Sequence, residues 1–422
     1  MTTLRPVLLS FVPCVLVACS SASQSPFTPT SSASAPSSSS ASAPSTPGLV
    51  TDVTGGPGAG TCVPSAPSTF ADAICVCEDL GEAGVLRTHA TAPAAASVGV
   101  NGRVGAATGS SIEGSLVAYQ ALAVAGGLDV RDSALSTGDV SGAGVLHVGG
   151  DLSVGGDLAF AGDLQVGGAL RLAQPGIVLP GATSGSTATY VAPSAPPCTC
   201  DPSSLLPIAQ MVASAASKND NAGAGLGTTG ADLVGAGTLS LDTGTYYFHD
   251  VTRVGVGAVA INGAVALYID GSIAEVGDAQ ITLAAGASLD LYVSGVVASA
   301  GRVVLGDPSH PEAFRLFVGG AGSMMATAGS QVWAGLVYAP QADVTFAGIT
   351  QINGAVFAKS LAWAGILDVT YGGATTGASC SPSQDDAGAG SSPGSPSSPS
   401  SPSSPPSPSA PPSGGSSPSD PK

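Results

Sequence analysis

The 422-residue chain has little charge. Charged residues make up 9% of it, and Lys and Arg total only 11, scattered without a basic stripe. This excludes nucleic acid as a partner and electrostatic attraction to anionic lipid. Aromatic residues are also scarce, at 5%, so few side chains are available to stack against sugar rings. Low charge together with 59 Gly suits tightly stacked coils and does not suit a helical bundle.

The clearest pattern that is present is a repeat of six residues. It reads apolar-x-apolar-Gly/Ala-Gly-Asp and is strict between Leu146 and Val166. Each unit supplies two apolar residues on the same side of a strand and then a corner that tolerates a sharp bend. Because a sixfold period is too short for a helical array, the run predicts a β-solenoid. Three hexads closing one turn would stack residues eighteen apart at about 4.8 Å.

The same register extends beyond the strict run. It reaches back to Leu116 and forward to Leu172, and it is weak at Ala134 and Val140, where we expect a loop or bulge. The hexads predict a first solenoid region.

Stacking at eighteen residues places Asp139 beneath Asp157. Two carboxylates so close either repel or share a cation, which makes this pair a candidate calcium site. The alternative is that Asp favours turns and that its charge is solvated. The hexads lack the register of the nonapeptide calcium repeat, which favours the solvated corner.

A second β-rich region runs from about Ala231 to Tyr371. Alternation of period two marks its strands, and Gly-containing turns separate them. Spacings of roughly 20 residues fit a larger, less regular parallel β-helix, although a β-sandwich would give similar strand lengths. The scarcity of Asn-Gly hairpin turns favours the helix. The alternating segments are Val265-Leu267-Ile269, Leu289-Leu291-Val293, Phe314-Leu316-Val318, Val344-Phe346 and Leu367-Val369-Tyr371.

One short helix is predicted between the two regions. Apolar residues from Leu205 to Ser217 recur at helical spacing, Asp201-Pro202-Ser203-Ser204 precedes them as a cap, and Pro207 falls in the first turn. We expect this helix to cap a turn or to pack across a seam. The predicted fold class is therefore all-β: a parallel β-helix in two regions with one short helix between them, flanked by disordered Ser/Pro-rich segments.

The first residues predict export and lipidation. Arg5 precedes an apolar stretch from Val7 to Val17 that is too short to span a bilayer. Leu16-Val17-Ala18-Cys19 matches the lipobox of bacterial lipoproteins, in which the cysteine thiol is diacylated after cleavage. The alternative is an ordinary signal peptide that contains Cys19. Ser20, rather than an acidic residue, follows Cys19, which resembles the sorting pattern of Gram-negative lipoproteins and implies the bacterial outer membrane or cell surface.

Composition divides the chain into six segments. Those rich in Ser, Pro and Ala cannot bury enough apolar surface to offset the entropy of ordering, so we expect them to be disordered. The segments are a lipoprotein signal peptide (1–18), a disordered tether (19–69), the hexad-repeat solenoid (70–200), a helical connector (201–222), the second β-helix domain (223–375) and a disordered tail (376–422).

Six cysteines remain after the signal and the lipid site. An even count in an exported chain indicates disulfides, and six cysteines allow fifteen pairings. We expect the two Cys-x-Cys pairs to bridge to one another and the remaining two cysteines to pair. The rival interpretation is a zinc or iron site made of the two pairs, whose spacing is tighter than that of usual structural zinc sites. The disulfide candidates are Cys62, Cys75, Cys77, Cys198, Cys200 and Cys380.

None of the four histidines, His89, His147, His249 and His310, sits in a nucleophile or metal motif. His147 alternates with the apolar residues of a hexad, so it points outward. Gly306-Asp307-Pro308-Ser309-His310-Pro311-Glu312 reads as a surface loop. Its Asp, His and Glu could bind a metal, but a solvated turn is the simpler interpretation.

A polysaccharide-active β-helix would need carboxylates on one exposed face. The candidates are Asp250, Asp270 and Asp290, spaced twenty apart so that neighbouring turns would stack them, together with Arg253. The aromatic residues Trp333, Tyr338 and Trp363 would form sugar platforms or, alternatively, core or end packing.

Several motifs carry a family resemblance. They are Lys218-Asn219-Asp220-Asn221, Gly244-Thr245-Tyr246-Tyr247, Leu289-Asp290-Leu291-Tyr292-Val293-Ser294-Gly295, Leu336-Val337-Tyr338-Ala339-Pro340 and Gly354-Ala355-Val356-Phe357-Ala358-Lys359. On them, about half of the chain resembles bacterial surface lipoproteins of unassigned function with a C-terminal β-helix domain. The hexad run is separately similar to the polymer-forming bactofilin solenoids. Neither resemblance implies catalytic residues or a cofactor.

The expected function is that of a lipid-anchored cell-envelope structural or adhesive protein without catalytic activity. Its expected partners are the membrane, through the lipid, and envelope polysaccharide or protein. The alternative is a polysaccharide lyase or hydrolase at the cell surface.

Overall fold

A computed structural model describes residues 70–91, 95–174, 182–227, 231–234, 237–320 and 322–372. The predicted signal peptide, lipid site Cys19, and the cysteines Cys62 and Cys380 lie outside these residues. The described chain is all-β, a parallel solenoid of about eleven turns with a single α-helix, so the predicted fold class is confirmed. Every strand pair in it is parallel, which excludes the sandwich.

The first region consists of short strands, three to a turn. They are β1 (Ile74–Val76), β2 (Leu80–Glu82), β3 (Val85–Ala90), β4 (Val98–Val100), β5 (Val104–Ala106), β6 (Ser110–Ile112), β7 (Leu116–Ala118), β8 (Leu122–Val124), β9 (Gly127–Val130), β10 (Ala134–Ser136), β11 (Val140–Gly142), β12 (Val145–Val148), β13 (Leu152–Val154), β14 (Leu158–Phe160), β15 (Asp163–Leu172) and β16 (Ala182–Thr189).

The predicted turn of eighteen residues is confirmed. Leu128, Leu146 and Leu164 stack in register and are buried in the interior of the stack. The expected interruption at Ala134 and Val140 is wrong. Both residues are buried and pair in register with the turns on either side, because a small inward side chain still fits where its neighbours are Leu.

The second region has longer strands that bend around corners. The helix α1 (Ile208–Ala215) precedes it, and a 3-10 turn (Pro311–Ala313) lies within it. The strands are β17 (Ala231–Val234), β18 (Thr238–Leu241), β19 (Gly244–Phe248), β20 (Val251–Ile261), β21 (Ala264–Ile269), β22 (Ile273–Leu283), β23 (Ser288–Val293), β24 (Val296–Leu305), β25 (Phe314–Val318) and β26 (Met324–Tyr371).

Turn length varies in this region. Val251 pairs with Ile273, Ile273 with Val297, and Val297 with Met325, so successive turns are unequal and longer than eighteen residues. The predicted period-two segments are confirmed as strands whose alternating apolar residues are buried in the interior.

A column of glycines forms one corner of the second region. Each has a positive φ, a backbone conformation that residues other than Gly rarely adopt. A Cβ atom added to any of the last five would also overlap the carbonyl oxygen of the glycine one turn earlier. The corner therefore requires glycine for two independent reasons. The column consists of Gly255, Gly277, Gly301, Gly329, Gly348 and Gly365.

The two regions form one continuous stack, although the chain is not continuous across it. The last part of β26 pairs with the first strands of the first region: Val356 with Ile74, Leu361 with Leu80, and Leu367 with Leu86. We call this junction the seam. The Tyr371 hydroxyl donates to the Phe70 carbonyl oxygen at 2.7 Å, so the chain enters and leaves the fold at the seam.

Candidate functional site

One outer face of the stack is covered by the chain itself. After β16, residues 190–227 run back along this face, and we call them the strap. The Tyr190 backbone N–H donates to the Leu172 carbonyl oxygen at 3.2 Å. Further along the strap, the Leu206 N–H donates to the Tyr338 hydroxyl at 3.2 Å. The strap thus passes over both regions and links the two outer ends of the stack.

Under the strap, the second region presents a column of outward aromatic rings. Tyr268, Tyr292 and Phe317 stack with ring centroids 4.7 and 4.6 Å apart, and Tyr338 and Phe357 stack at 5.4 Å. Spacing of this kind follows from strand register, which places one residue per turn at the same position. The aromatic column consists of Tyr247, Tyr268, Tyr292, Phe317, Tyr338 and Phe357.

The helix α1 covers part of this column. Its residues Ile208, Val212 and Ala215 are buried in one cluster with Tyr247 and Tyr292. The predicted helix is confirmed but shorter than Leu205–Ser217, and Pro207 precedes it. The predicted cap Asp201-Pro202-Ser203-Ser204 is wrong, because the Asp201 carboxylate accepts the Ser203 N–H at 2.8 Å and lies too far upstream to reach α1.

The strap also caps the exposed edge of strand β19. The buried Asn221 side chain accepts the Tyr247 N–H at 3.0 Å and donates to the Tyr247 carbonyl at 2.6 Å, as a neighbouring strand would. The Asp220 carboxylate accepts the Thr245 N–H at 2.8 Å. Capping of this kind removes the free hydrogen-bonding groups of an edge strand. It accounts for two of the motifs, Lys218-Asn219-Asp220-Asn221 and Gly244-Thr245-Tyr246-Tyr247.

Over the first region, two disulfides replace the aromatic rings. They are Cys75–Cys198 and Cys77–Cys200, which join the two Cys-x-Cys pairs as expected and exclude these thiols as zinc or iron ligands. Cys75 lies next to Phe357 in register, so the disulfides begin where the aromatic column ends. The Asn101 side chain also brackets Cys198, accepting its N–H at 3.0 Å and donating to its carbonyl at 2.8 Å.

The corner aspartates of the hexads hold the next turn. Asp139 lies beneath Asp157 as predicted, and its carboxylate accepts the Asp157 N–H at 2.9 Å. The Asp151 carboxylate accepts the Ala169 N–H at 2.7 Å and pairs with Arg171. These contacts lower the pKa of Asp151, the Ala169 N–H most strongly. Hydrogen bonding to the next turn therefore explains why Asp recurs at this corner.

Metal binding gains no support from these side chains. Within the described ranges, no group of three or more His, Cys, Asp or Glu side chains is placed to hold an ion. Calcium binding by Asp139 and Asp157 stays the less favoured alternative to a solvated corner.

Asp250 and Asp270 lie beside the same imidazole ring, each 3.8 Å from a nitrogen of His249, whereas Asp290 is paired with Arg315. Asp250, Asp270 and Asp290 were expected to stack, which is wrong because the turns are longer than twenty residues. The Asp250 carboxylate instead accepts the Ser272 N–H at 2.8 Å, and Asp290 makes a bidentate ion pair with Arg315 at 2.5 and 2.7 Å. Burial raises the pKa of Asp290, and the Arg315 charge opposes that change.

Arg253, expected on the surface beside these carboxylates, is buried in the interior and paired with Glu275. Burial is also the dominant influence on Glu275 and raises its pKa. Arg253 therefore does not join Asp250 and Asp270, whose side chains are about half exposed at the surface.

The remaining candidates are structural or solvated. Trp333 and Trp363 are buried in the interior, which is the core-packing alternative, and Tyr338 lies under the strap. His147 is about half exposed beside Asp129, and His310 is exposed beside Glu312 at 3.3 Å.

One contact that the sequence did not indicate lies at the seam. His89 in the first region is 3.5 Å from Glu113 and 3.4 Å from Asp368, a residue of the second region. These three residues are far apart in the sequence, so only the strand register across the seam brings them together.

Residues 187–377 match a domain of unknown function, DUF7305. The match covers the strap and the second region, and therefore includes α1 and the whole aromatic column. A search of the curated proteins finds no match. The only α-helix in the described ranges is too short to cross a membrane.

Proposed function

We propose that this protein is a lipid-anchored structural or adhesive protein of the bacterial cell envelope, without catalytic activity. The observation that carries the proposal is the seam. Phe70 and Tyr371 meet there, so the segments that precede and follow the described fold both depart between the two regions. A lipid at Cys19 would therefore hold the stack at its waist and leave both of its outer ends free for contacts.

The dimensions suit such an arrangement. About eleven turns at roughly 4.8 Å each give a rod of about 50 Å. A tether of about fifty residues that is disordered, as its composition predicts, would have a mean end-to-end distance of roughly 40 Å. The rod would then reach envelope polymers or proteins on both sides of its attachment point.

The outer surface supports a scaffold role. On a face that the strap does not cover, the outward residues of successive turns are Ala123, Ser141 and Ala159, which leave the surface flat. Of the carboxylates that an enzyme would need, Asp290 is paired with Arg315 and Asp250 accepts a backbone N–H. Asp270 accepts the Tyr247 hydroxyl at 3.2 Å and lies beside His249. We expect a partner to be recognised by extended contact along such a face.

Metabolic labelling with a fatty acid tests the anchor. We expect label on the parent protein and on Cys14→Ala, a matched control in the same apolar stretch, and loss of label in Cys19→Ala. Absence of label from all three would contradict the anchoring proposal.

The enzyme alternative is tested separately. It predicts that the purified full chain releases sugars from an envelope polysaccharide and that Asp270→Asn abolishes this release. We expect no release from the parent protein, and activity lost in Asp270→Asn would replace our proposal with the enzyme.

A further inference from the structure

The interior of the second region contains a polar column. Arg253, Glu275, Ser299 and Thr327 occupy the same inward position on four successive turns. All four are buried, whereas the inward position two residues earlier is apolar throughout and begins with Val251. Burying polar groups at four consecutive positions is unfavourable unless each finds a hydrogen-bond partner.

The ion pair within this column satisfies only some of its atoms. Arg253 Nη2 donates to Glu275 Oε1, and Nη1 points to the carbonyls of Gly257 and Gln280 at 3.4 and 3.3 Å. Arg253 Nε, Ser299 Oγ and Thr327 Oγ1 have no hydrogen-bond partner among the described residues. Each unsatisfied buried group costs about 1–3 kcal/mol.

A cavity of about 40 Å³ lies against the first three residues of the column. Arg253, Glu275 and Ser299 line it together with apolar side chains that include Ile281 and Trp333. One water molecule needs roughly 10–15 Å³ of such space and two to four polar partners. The cavity is therefore large enough for two or three waters and too small for a sugar ring or a nucleotide.

We propose that this cavity is a binding site for a cluster of two or three ordered waters. The cluster accepts a hydrogen bond from Arg253 Nε, donates to the Glu275 carboxylate and joins Ser299 Oγ. It keeps the Arg253–Glu275 pair hydrated inside an otherwise apolar interior, and so allows a charged pair where a well-packed apolar one would normally be preferred.

Filling the cavity in the full-length chain tests the proposal by the sign of the change in Tm. Ser299→Val removes the hydroxyl and occupies the space of one water, so we expect Tm to fall by several degrees. If the cavity is dry, the added methyl groups fill a void and Tm stays constant or rises, which overturns the proposal. Ala300→Val, exposed on the same strand, is the control and should leave Tm within about one degree.

A crystal structure of the full chain at atomic resolution gives an independent test that does not depend on how a variant folds. We expect water density within hydrogen-bonding distance of Arg253 Nε, the Glu275 carboxylate and Ser299 Oγ. An empty cavity, or one closed by rearranged side chains, would overturn the proposal.

Discussion

The two regions build the same kind of stack from different sequence rules. In the first, the turns between Val98 and Leu170 all repeat at eighteen residues, Leu and Val fill the interior, and Asp at the corner binds the next turn. In the second, turn length varies, and the constant features are the glycine corner and the aromatic column. A repeat is visible in a sequence only where turn length is constant. Where turn length varies, the same residue type recurs at the same place on each turn, but at no constant spacing in the sequence.

The contacts that hold the strap also differ between the two regions. Over the first region two disulfides hold it, and over the second it is held by burial of aromatic rings and by Asn221. A covalent clamp is needed where the strapped face has little side chain to bury, as at Gly99, and not where each turn supplies a ring.

The largest effect is expected when both disulfides are removed. Each closes a loop with a sequence separation of 123 residues, for which chain entropy predicts about 4–5 kcal/mol. Because the two loops are nearly the same, replacing only Cys77 and Cys200 by Ser should cost about 1 kcal/mol, whereas replacing all four cysteines should cost the full amount. Urea unfolding of the three proteins measures this. Equal losses from the two steps would show that each bridge acts independently.

The second largest effect is expected at the glycine corner of the second region. Gly301 has φ 127°, and a Cβ there would overlap the Gly277 carbonyl oxygen. We expect Gly301→Ala to cost about 3–4 kcal/mol in the free energy of unfolding. Gly286→Ala separates the two causes, because φ is 77° there but, apart from its chain neighbours, no atom of the described residues lies within 4 Å of the added Cβ. We expect a cost of about 1 kcal/mol. Similar losses at both positions would mean that overlap contributes nothing.

Much of the fold follows from the sequence alone. The hexads of the first region reveal the turn of eighteen and the stacking of Asp139 on Asp157, since both depend only on local periodicity. The seam was not predicted, because pairing of Val356 with Ile74 joins segments from opposite ends of the described fold. Local patterns give no information about which distant edges meet.

We expect the aromatic column of the second region to stabilise the fold through burial of its rings. Tyr292 is fully buried beneath the strap, and its hydroxyl has no hydrogen-bond partner within the described ranges. We expect Tyr292→Ala to cost about 3 kcal/mol, and Tyr292→Phe to be neutral or stabilising because it removes an unsatisfied buried group. Thermal unfolding compares the two. A loss in Tyr292→Phe comparable to that in Tyr292→Ala would show that the hydroxyl, not the ring, stabilises this face.

The strapped face could have been found in the sequence by one signal. Wherever it is aromatic, three apolar residues stand in a row, as in Leu291-Tyr292-Val293 and Val356-Phe357-Ala358, which marks a strand buried on both sides. The period-two interpretation assigned the first and third residues to the interior and left the middle one unexplained. The buried pair Arg253–Glu275 had no such signal. In the sequence, a polar residue at an inward position of a strand cannot be distinguished from a polar residue that lies on the surface.

The smallest effect is a difference in pH dependence between the regions. In the first, the Ala90 N–H and then the His89 ring lower the pKa of Glu113 from 4.5, so its contribution to stability is present above that value and lost as pH falls. In the second, burial raises the pKa of Asp290 from 3.8, so its contribution is present below that value and lost as pH rises.

Between about pH 3 and about pH 6, we therefore expect the stability lost in Glu113→Gln to grow and that lost in Asp290→Asn to shrink. Glu113 is partly exposed, so solvent screening keeps its effect small. Urea unfolding of each variant against the parent protein at several pH values measures both trends. A loss in Asp290→Asn that increases with pH would mean that the Arg315 charge outweighs burial, and the two regions would then respond to pH alike.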